Sequence, residues 1–283
     1  MLSKGQQKRI RQLGMKKFRM AEGLFVAEGP KVVGDLLRAG FVPEDIYATP
    51  DSTLPTPDSS LLPPDSSPLS CPLLPAPHSS PLSCPLPPDS SLPSAHYHLT
   101  TDDDLAKASF LQHPQGIIGI FRIPAQQDII IPENDLTLML DGIQDPGNLG
   151  TIIRIADWFG IRQVICSPDT ADAYSPKVVQ ATMGSIARVT LSYQPLQPLL
   201  ESLPTNFPVY GTLLDGNNIY RQQLTNHGII IMGNEGNGIS APIRQLITHR
   251  ILIPSFGNAG AESLNVAVAT AITCSEFRRS QAK

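Results

Sequence analysis

Long apolar segments and metal-type cysteine patterns are both missing from this 283-residue sequence. No apolar run approaches the ~20 residues that a membrane-spanning helix needs, so we predict no membrane partner. Of the four cysteines, Cys166 and Cys274 lie in apolar segments, whereas Cys71 and Cys84 lie in a Pro/Ser tract without metal-ligand spacing. This pattern predicts neither a disulfide framework nor a metal site. Because the opening residues also lack the apolar core of a secretion signal, we expect a cytoplasmic protein.

The phosphate-binding signatures of the common nucleotide enzymes are absent as well. No Gly-Lys-Ser/Thr sequence of a P-loop occurs anywhere in the chain. The segment GNEGNG at 233–238 spaces its glycines in the reverse order of the dinucleotide-binding G-x-G-x-x-G. These absences argue against a P-loop NTPase and against a Rossmann dehydrogenase.

Acidic residues are missing from positions 1–20, although the net charge of the whole chain is −4. Seven cations occupy that stretch: Lys4, Lys8, Arg9, Arg11, Lys16, Lys17 and Arg19. Cations without neighbouring anions are typical of a phosphate-binding surface, so we predict contact with a nucleic acid. The alternative is an ordinary solvated helix face. We take Lys8, Arg9, Arg11, Lys16, Lys17 and Arg19 as the candidate contacts.

Lysine and arginine are in turn missing from residues 50–93, which hold fourteen prolines. SPLSCPL occurs twice there, at 67–73 and 80–86, and no periodic apolar face is present. Proline at this density removes backbone donors and prevents helix formation. We therefore predict a disordered insertion at 50–94 that interrupts a small α/β domain spanning 1–123; a polyproline-like surface motif is the alternative.

Residues 135–283, after a linker at 124–134, alternate between short apolar strands and helices. The strands are predicted at Leu136–Leu140, Gln163–Ser167, Arg188–Ser192, Val209–Leu214, Gly228–Met232 and Arg250–Ile253. The helices are predicted at Leu149–Phe159, Pro176–Ile186, Leu196–Ser202, Ala241–Ile247 and Ser263–Arg278. This alternation predicts an α/β fold with a mostly parallel sheet covered on both faces.

Polar, glycine-rich loops follow three of these strands. The first reads DGIQDPGNLGTIIR at 141–154, the second reads GNEGNGIS at 233–240, and the third contains ESLN at 262–265. Because the carboxyl ends of parallel strands meet at one edge of a sheet, we expect the three loops to form one site. Taken singly, ESLN is typical of a helix cap and GNEGNG of a turn.

Together, the three loops resemble the SpoU/TrmH family of RNA ribose 2′-O-methyltransferases, of the SPOUT class. The first family motif, an Asn followed six residues later by an Arg, matches Asn148 and Arg154. The second, an apolar strand running into G-x-E-x-x-G, matches 231–238. The third, Ile-Pro followed by a loop and Ser-Leu-Asn-Val, matches 253–254 and 263–266. The resemblance covers residues 135–280, and LFVAEGPKVVGDLL at 24–37 looks like part of the family's substrate-binding domain.

The resemblance implies a knotted SPOUT methyltransferase domain at 135–283, preceded by an RNA-binding α/β domain at 1–123. It also implies S-adenosyl-L-methionine held by the knot loops and a homodimer with its sites at the interface. RNA is the implied substrate. We expect large-subunit rRNA rather than tRNA, because a separate N-terminal domain precedes the catalytic one.

The resemblance assigns catalysis to Arg154, Asn148, Glu235, Ser263 and Asn265. A guanidinium stays protonated, so we expect Arg154 to stabilise the developing 2′-oxyanion rather than to act as a base. The plainer alternative is a surface arginine in an i,i+4 pair. Asn148 is expected to position Arg154 or an RNA phosphate, and Glu235 to act through an arginine or a backbone amide. Ser263 and Asn265 are expected to face the ribose and the methionine moiety.

Cofactor binding is expected from residues in the second and third loops, chiefly through their backbone groups. These residues are Met232, Gly233, Ile253, Pro254, Asn258 and Leu264. The alternative to an enzyme is a non-catalytic RNA-binding or ribosome-assembly protein with the same fold. The presence of all five candidate catalytic residues favours the enzyme.

Overall fold

The chain forms two β-sheets, one on each side of the segment 123–135. A computed structural model describes residues 2–52, 96–126, 129–257 and 263–279. Most of the predicted disordered insertion, from residue 53 onward, lies outside the described residues. Asn258, a predicted cofactor contact, also lies outside them.

The first sheet has four strands in the order β1-β4-β2-β3, with only the β2–β3 pair parallel. Its strands are β1 (Leu24–Glu28), β2 (Pro43–Ala48), β3 (His96–Leu99) and β4 (Ile117–Arg122). Its helices are α1 (Lys4–Gln12), α2 (Lys16–Glu22), α3 (Pro30–Arg38) and α4 (Asp102–Ala108). The sequence pattern does not predict β3, because this mostly exposed edge strand, HYHL, carries no alternating apolar face.

Side-chain caps fix where the helices of this domain begin. Ser3 and Gln6 exchange the two hydrogen bonds of a capping box at the start of α1. Thr101 accepts a hydrogen bond from the backbone N–H of Asp104 at the start of α4, whose first turn carries three acids. Because these acids lie at the positive end of the helix dipole, they stabilise α4.

The second sheet has six parallel strands in the order β10-β8-β9-β5-β6-β7, which confirms the mostly parallel α/β fold. The strands are β5 (Leu136–Asp141), β6 (Gln163–Cys166), β7 (Thr190–Tyr193), β8 (Val209–Asn218), β9 (Gly228–Gly233) and β10 (His249–Leu252). The helices are α5 (Pro146–Trp158), α6 (Pro176–Ala181), α7 (Leu196–Glu201), α8 (Ala241–Gln245) and α9 (Val266–Arg279). The knot stays a prediction.

All five helices of this domain differ from the predicted bounds by one to five residues, and for two of them the structure shows the cause. Helix α6 ends at Ala181, not Ile186, because Met183 and Gly184 adopt positive φ values of 52° and 94° that no α-helix accommodates. Helix α9 begins at Val266, not Ser263. The side-chain oxygen of Asn265 accepts hydrogen bonds from the N–H groups of Ala267 and Val268, so Asn265 is the cap of this helix.

The two sheets share an apolar core. Val179 and Ile186 of the second domain pack into the cluster formed by Phe25, Val33 and their neighbours on β1 and α3. The ring of Tyr174 lies 5.0 Å from the ring of Phe25, measured between centroids. This shared burial fixes the first domain against the α6 side of the second.

A buried ion pair adds to this contact. Arg19 is 2% exposed, and its Nη2 and Nε atoms lie 2.6 Å and 3.0 Å from Oδ2 of Asp172. Its Nη1 donates to the carbonyl of Leu13 at 2.7 Å. The prediction that Arg19 contacts RNA is therefore corrected, because this guanidinium is buried and joins the two domains.

Candidate active site

The loop between β5 and α5 begins with a residue that needs a left-handed backbone. Gly142 has φ +73°, and a Cβ there would lie 3.1 Å from a carboxylate oxygen of Asp169. The chain then reaches Asp145, whose carboxylate accepts from the N–H of Asn148 at 2.8 Å and caps α5. Pro146 occupies the first turn, where no N–H is required. This geometry presents the side chain of Asn148 at the carboxyl edge of the sheet.

Glu235, in the loop after β9, reaches back across to this first loop. Its carboxylate accepts hydrogen bonds from the N–H groups of Gln144 and Asp145, each at 3.3 Å, and from Nδ2 of Asn148 at 3.0 Å. The second loop thus holds the start of α5 in place. This arrangement agrees with the expectation that Glu235 acts through backbone amides.

Asn148 connects Glu235 to the third loop. Its Oδ1 accepts a hydrogen bond of 2.9 Å from Nδ2 of Asn265, and its Nδ2 donates to Glu235. A continuous hydrogen-bonded chain therefore runs from Asn265 through Asn148 to Glu235. The side chain of Asn265 is engaged here and in capping α9, so it braces the site rather than pointing freely at a substrate.

The hydrogen bonds on Glu235 change its acidity. Burial raises the pKa of this carboxyl, but the donors from Asn148 and from backbone amides outweigh burial and lower the pKa below its usual 4.5. A carboxyl with a depressed pKa stabilises the fold above its unfolded-state pKa. That stabilisation is lost as pH falls through the folded-state pKa.

We therefore expect the melting temperature of Glu235→Gln to fall less steeply than that of the wild type below about pH 4.5. The measurement is thermal unfolding of both proteins from roughly pH 6 to pH 3. Other carboxyls with lowered pKa, such as Asp35 and Asp157, are common to both proteins and cancel in the difference. If the melting temperatures of the two proteins fell in parallel with pH, the hydrogen bonds assigned to Glu235 would be contradicted.

A cavity of about 720 Å³ opens beside this chain of hydrogen bonds. Five of the six residues predicted to bind the cofactor line it: Met232, Gly233, Ile253, Pro254 and Leu264. Ser263 and Glu235, two predicted catalytic residues, also line it. Two walls of this cavity are therefore formed by residues of the second and third loops, and their role in holding a cofactor stays a prediction.

The other wall comes from β8 and α8, which sequence analysis did not connect to the site. Thr212, Leu213, Leu214 and Asp215 lie along it, together with Arg244. Asp215 accepts from Arg244 at 2.6 Å and from Arg250 at 3.0 Å. No local motif marks these residues, because they become neighbours of β9 only through the strand order of the sheet.

Arg154 lies apart from the other predicted catalytic residues. Six residues along a helix correspond to a rotation of about 240°, so Arg154 and Asn148 project from different sides of α5. Arg154 is exposed, and its side chain has no hydrogen bond or ion pair within the described ranges. Within the described residues of one chain, Asn148 forms no hydrogen bond with Arg154, and Arg154 forms no i,i+4 pair. That Asn148 positions Arg154 or an RNA phosphate stays a prediction. Trp158, one turn further on, is 84% exposed.

The other cations predicted to contact RNA differ in whether they form ion pairs. Lys8, Lys16 and Lys17 are exposed and form no ion pair with a described residue. Arg9 instead pairs with Glu22 and Asp45, at 3.2 Å and 3.1 Å.

Arg11, the last of these cations, donates to the carbonyl of Lys107 and lies over the ring of Phe110. It is exposed, and it forms no ion pair with an acid among the described residues. The lysines and Arg11 therefore retain the positive surface charge that sequence analysis expected.

The part of the chain that the structure describes contains neither a membrane-spanning helix nor a group of metal ligands. None of its helices combines the length and apolar character that crossing a bilayer requires. Among the same residues, no three His, Cys, Asp or Glu side chains are grouped as ligands for a metal ion.

The fold and the site together define an α/β protein with a small-molecule cavity at the carboxyl edge of a parallel sheet. Comparison with known proteins identifies the family. Residues 135–275 match the SpoU rRNA Methylase family, and residues 5–67 match an MRM3-like substrate binding domain. This chain belongs to the SpoU rRNA methylase family.

Individual relatives agree with this assignment. The 23S rRNA (guanosine(2553)-2′-O)-methyltransferase RlmP of Bacillus subtilis is 31% identical over 183 residues, covering 64% of this chain and 72% of RlmP. A solved TrmH-family structure from Porphyromonas gingivalis is 36% identical, covers 99% of both chains and has a TM-score of 0.79. An AdoMet-bound rRNA methyltransferase from Sinorhizobium meliloti is 25% identical, covers 100% of this chain and 97% of its own, with a TM-score of 0.78.

Proposed function

We propose that this protein transfers a methyl group from S-adenosyl-L-methionine to the ribose 2′-hydroxyl of a nucleotide in large-subunit rRNA. Its family makes it an RNA methyltransferase. The observation that carries the proposal is the hydrogen-bonded chain Asn265–Asn148–Glu235 beside the cavity. RlmP, which resembles this chain, is named for 2′-O-methylation of 23S rRNA.

The cavity fits S-adenosyl-L-methionine by size and by chemistry. A volume of about 720 Å³ lies within the usual range for small-molecule sites. Leu213, Leu214 and Leu264 offer an apolar wall for the adenine. Asp215 is neutralised by Arg244 and Arg250, so Glu235 is the lining carboxylate that suits a cationic ligand. When bound, the cofactor supplies an electrophilic methyl group on a sulfonium. The residues expected to hold it are Met232, Gly233, Ile253, Pro254 and Leu264.

The chain's own residues provide position and charge. Glu235 and Asn148 hold the first loop against the second, so that the ribose meets a preorganised surface. Ser263, exposed on the cavity wall, is available to the ribose. Arg154, with no partner among the described residues, carries the positive charge that a developing 2′-oxyanion requires.

We propose that a second copy of the chain supplies the Arg154 that each site lacks. Arg154 does not line the cavity of its own chain, and it shares an exposed face of α5 with the 84% exposed Trp158. An exposed tryptophan beside an unpaired arginine is typical of the centre of a protein interface. A homodimer that buries this face delivers Arg154 to the cavity of the partner subunit.

Mixing two variants of low but measurable activity tests the shared site. Arg154→Ala and Glu235→Gln subunits, unfolded together and refolded at equal amounts, are expected to recover about a quarter of wild-type activity, because each mixed dimer holds one intact site. Each variant refolded alone is the control. Absence of recovery, with mixed dimers demonstrated by a tag on one variant, would place both residues in the same subunit.

We assign the domain at 1–123 to RNA binding and the domain at 135–283 to catalysis. The exposed cations on α1 and α2 support the first assignment, and residues 5–67 match a substrate-binding domain. The partner in this proposal is rRNA, with neither a metal nor a membrane required.

We expect Lys8→Gln combined with Lys17→Gln to weaken RNA binding and to lower the slope of log affinity against log salt by roughly 1–2. Each lysine neutralises a phosphate and releases counterions, and neither is needed for an ion pair in the described chain. The control is Arg162→Gln with Arg279→Gln, which removes the same charge at the ends of β6 and α9 far from the loops. If the two double variants had equal slopes of log affinity against log salt, Lys8 and Lys17 would not contact RNA phosphates.

The substrate class is tested by incubating the purified protein and labelled S-adenosyl-L-methionine with rRNA or tRNA from cells that lack this protein. We expect label in large-subunit rRNA and none in tRNA. Label confined to tRNA would overturn the rRNA assignment while keeping the enzyme. Absence of label in both, with no cofactor binding by calorimetry, would favour the non-catalytic alternative.

A further inference from the structure

Asn234, between Gly233 and Glu235, uses both ends of its side-chain amide. Its Nδ2 donates to the carbonyl of Gly142 in the first loop at 2.6 Å. Its Oδ1 accepts from the N–H groups of Gly236 and Asn237, each at 2.9 Å. One side chain therefore folds its own loop and joins it to the loop that precedes α5.

The rest of the second loop is closed around this residue. The backbone groups of Asn234 and Gly238 exchange two hydrogen bonds, of 3.0 Å and 2.9 Å. At the loop's far end, the N–H of Ser240 donates to the carboxylate of Asp141 at 2.7 Å. The loop is thus tied to the end of β5 at both of its ends, and Glu235 is carried between the two ties.

The position of the first tie bears on Glu235. Gly142 lies two residues before Gln144, whose N–H, like that of Asp145, donates to the Glu235 carboxylate. Asn234 and Glu235 are adjacent in the second loop, and each is hydrogen-bonded to the first loop. Asn234 contacts Gly142, and Glu235 contacts the backbone just after it. We therefore expect loss of the 2.6 Å hydrogen bond between Asn234 and Gly142 to shift the Glu235 carboxylate. The shift is relative to the N–H groups of Gln144 and Asp145 and to Asn148.

We propose that Asn234 is a positioning residue for methyl transfer, which acts by fixing the Glu235 carboxylate against the first loop and Asn148. This inference rests on the proposed function, because it concerns the rate of that reaction. Asn234 occupies the first of the three unspecified positions in the G-x-E-x-x-G pattern, so the pattern alone gave it no role.

The two roles of the amide can be separated by one substitution. Asn234→Asp has nearly the same shape and keeps an oxygen for the N–H groups of Gly236 and Asn237. It replaces the donor to Gly142 by a second oxygen, which faces a carbonyl oxygen and is repelled. The turn within the second loop is retained, whereas the tie between the loops is lost.

The test is a double-mutant cycle in kcat with Asn234→Asp, Glu235→Gln and both together. Asn234→Asp is expected to lower kcat roughly tenfold or more, with a smaller change in the KM for RNA. In the Glu235→Gln background the same substitution is expected to have less than about a threefold effect, since its route of action is gone. Asn206→Asp, in the exposed loop before β8, adds the same charge away from the site and is the control.

Equal effects of Asn234→Asp in both backgrounds would overturn the inference, because a purely structural loss is independent of Glu235. Wild-type kcat in Asn234→Asp would overturn it as well. Circular dichroism and melting temperature identify a variant that fails to fold, in which case the milder Asn234→Ser replaces it. A wild-type protein that methylates no RNA would refute the proposed function itself, which is a separate outcome.

Discussion

Arg154→Ala is expected to lower methyl transfer by about 100-fold or more while S-adenosyl-L-methionine still binds. The developing negative charge on the 2′-oxygen loses the guanidinium that stabilises it. Cofactor affinity is expected to be retained, because Arg154 does not line the cavity of its own chain and, in the proposed dimer, acts on the ribose oxygen rather than on the cofactor. Folding is also retained, since the side chain has no hydrogen bond or ion pair to lose among the described residues.

The matched control is Arg162→Ala. Arg162 is also exposed and without a side-chain hydrogen bond to any described residue, but it precedes β6 at the opposite edge of the sheet. We expect this variant to keep wild-type turnover. The measurements are kcat with RNA and the cofactor Kd by calorimetry. Near wild-type turnover of Arg154→Ala would refute the role assigned to Arg154, and lost cofactor binding would show that Arg154 holds the cofactor rather than stabilising the 2′-oxyanion.

Asp172→Ala is expected to destabilise the protein by about 3 kcal/mol, because it leaves the buried guanidinium of Arg19 without its counter-charge. Removing one member of a buried pair costs more than the pair itself contributes. The Leu13 carbonyl still accepts from Nη1, but Nε and Nη2 lose their acceptor. For a chain of this size the expected fall in melting temperature is roughly 5–10 °C.

Asp215→Ala provides the comparison. It also removes a carboxylate bonded to arginine, but the side chains of Asp215, Arg244 and Arg250 are each 43–49% exposed, against 3% for Arg19. Exposed ion pairs contribute little, so we expect almost no change in its melting temperature. Equal melting temperatures for Asp172→Ala and Asp215→Ala would contradict a stabilising role for the pair between the domains.

Much of the domain at 135–283 could be predicted because its signals are local. Strand β9 is a run of buried aliphatic residues, and Asp145 with Pro146 marks the start of α5. The assignment of three loops to one edge required only that the strands be parallel. The choice of Asn148 and Glu235 within those loops came from the family resemblance, and the two side chains are hydrogen-bonded at that edge.

Other features depend on tertiary contacts that no local pattern encodes. Arg19 has the same sequence context as its exposed neighbours, and only the packing of α2 against the second domain buries it with Asp172. The cavity wall from Thr212 to Asp215 follows from the pairing of β8 between β10 and β9. Helix α6 ends early because of the backbone angles at Met183, a residue with no turn preference.

The chemical position of the transferred methyl group tests the central claim most directly. Large-subunit rRNA labelled by the protein is digested with alkali, which cleaves at every free 2′-hydroxyl and spares a 2′-O-methylated linkage. We predict that the label is recovered in one alkali-resistant dinucleotide and that Arg154→Ala yields none. Label recovered in single nucleotides would mean that the methyl group is on a base, and it would contradict the ribose 2′-hydroxyl as the acceptor.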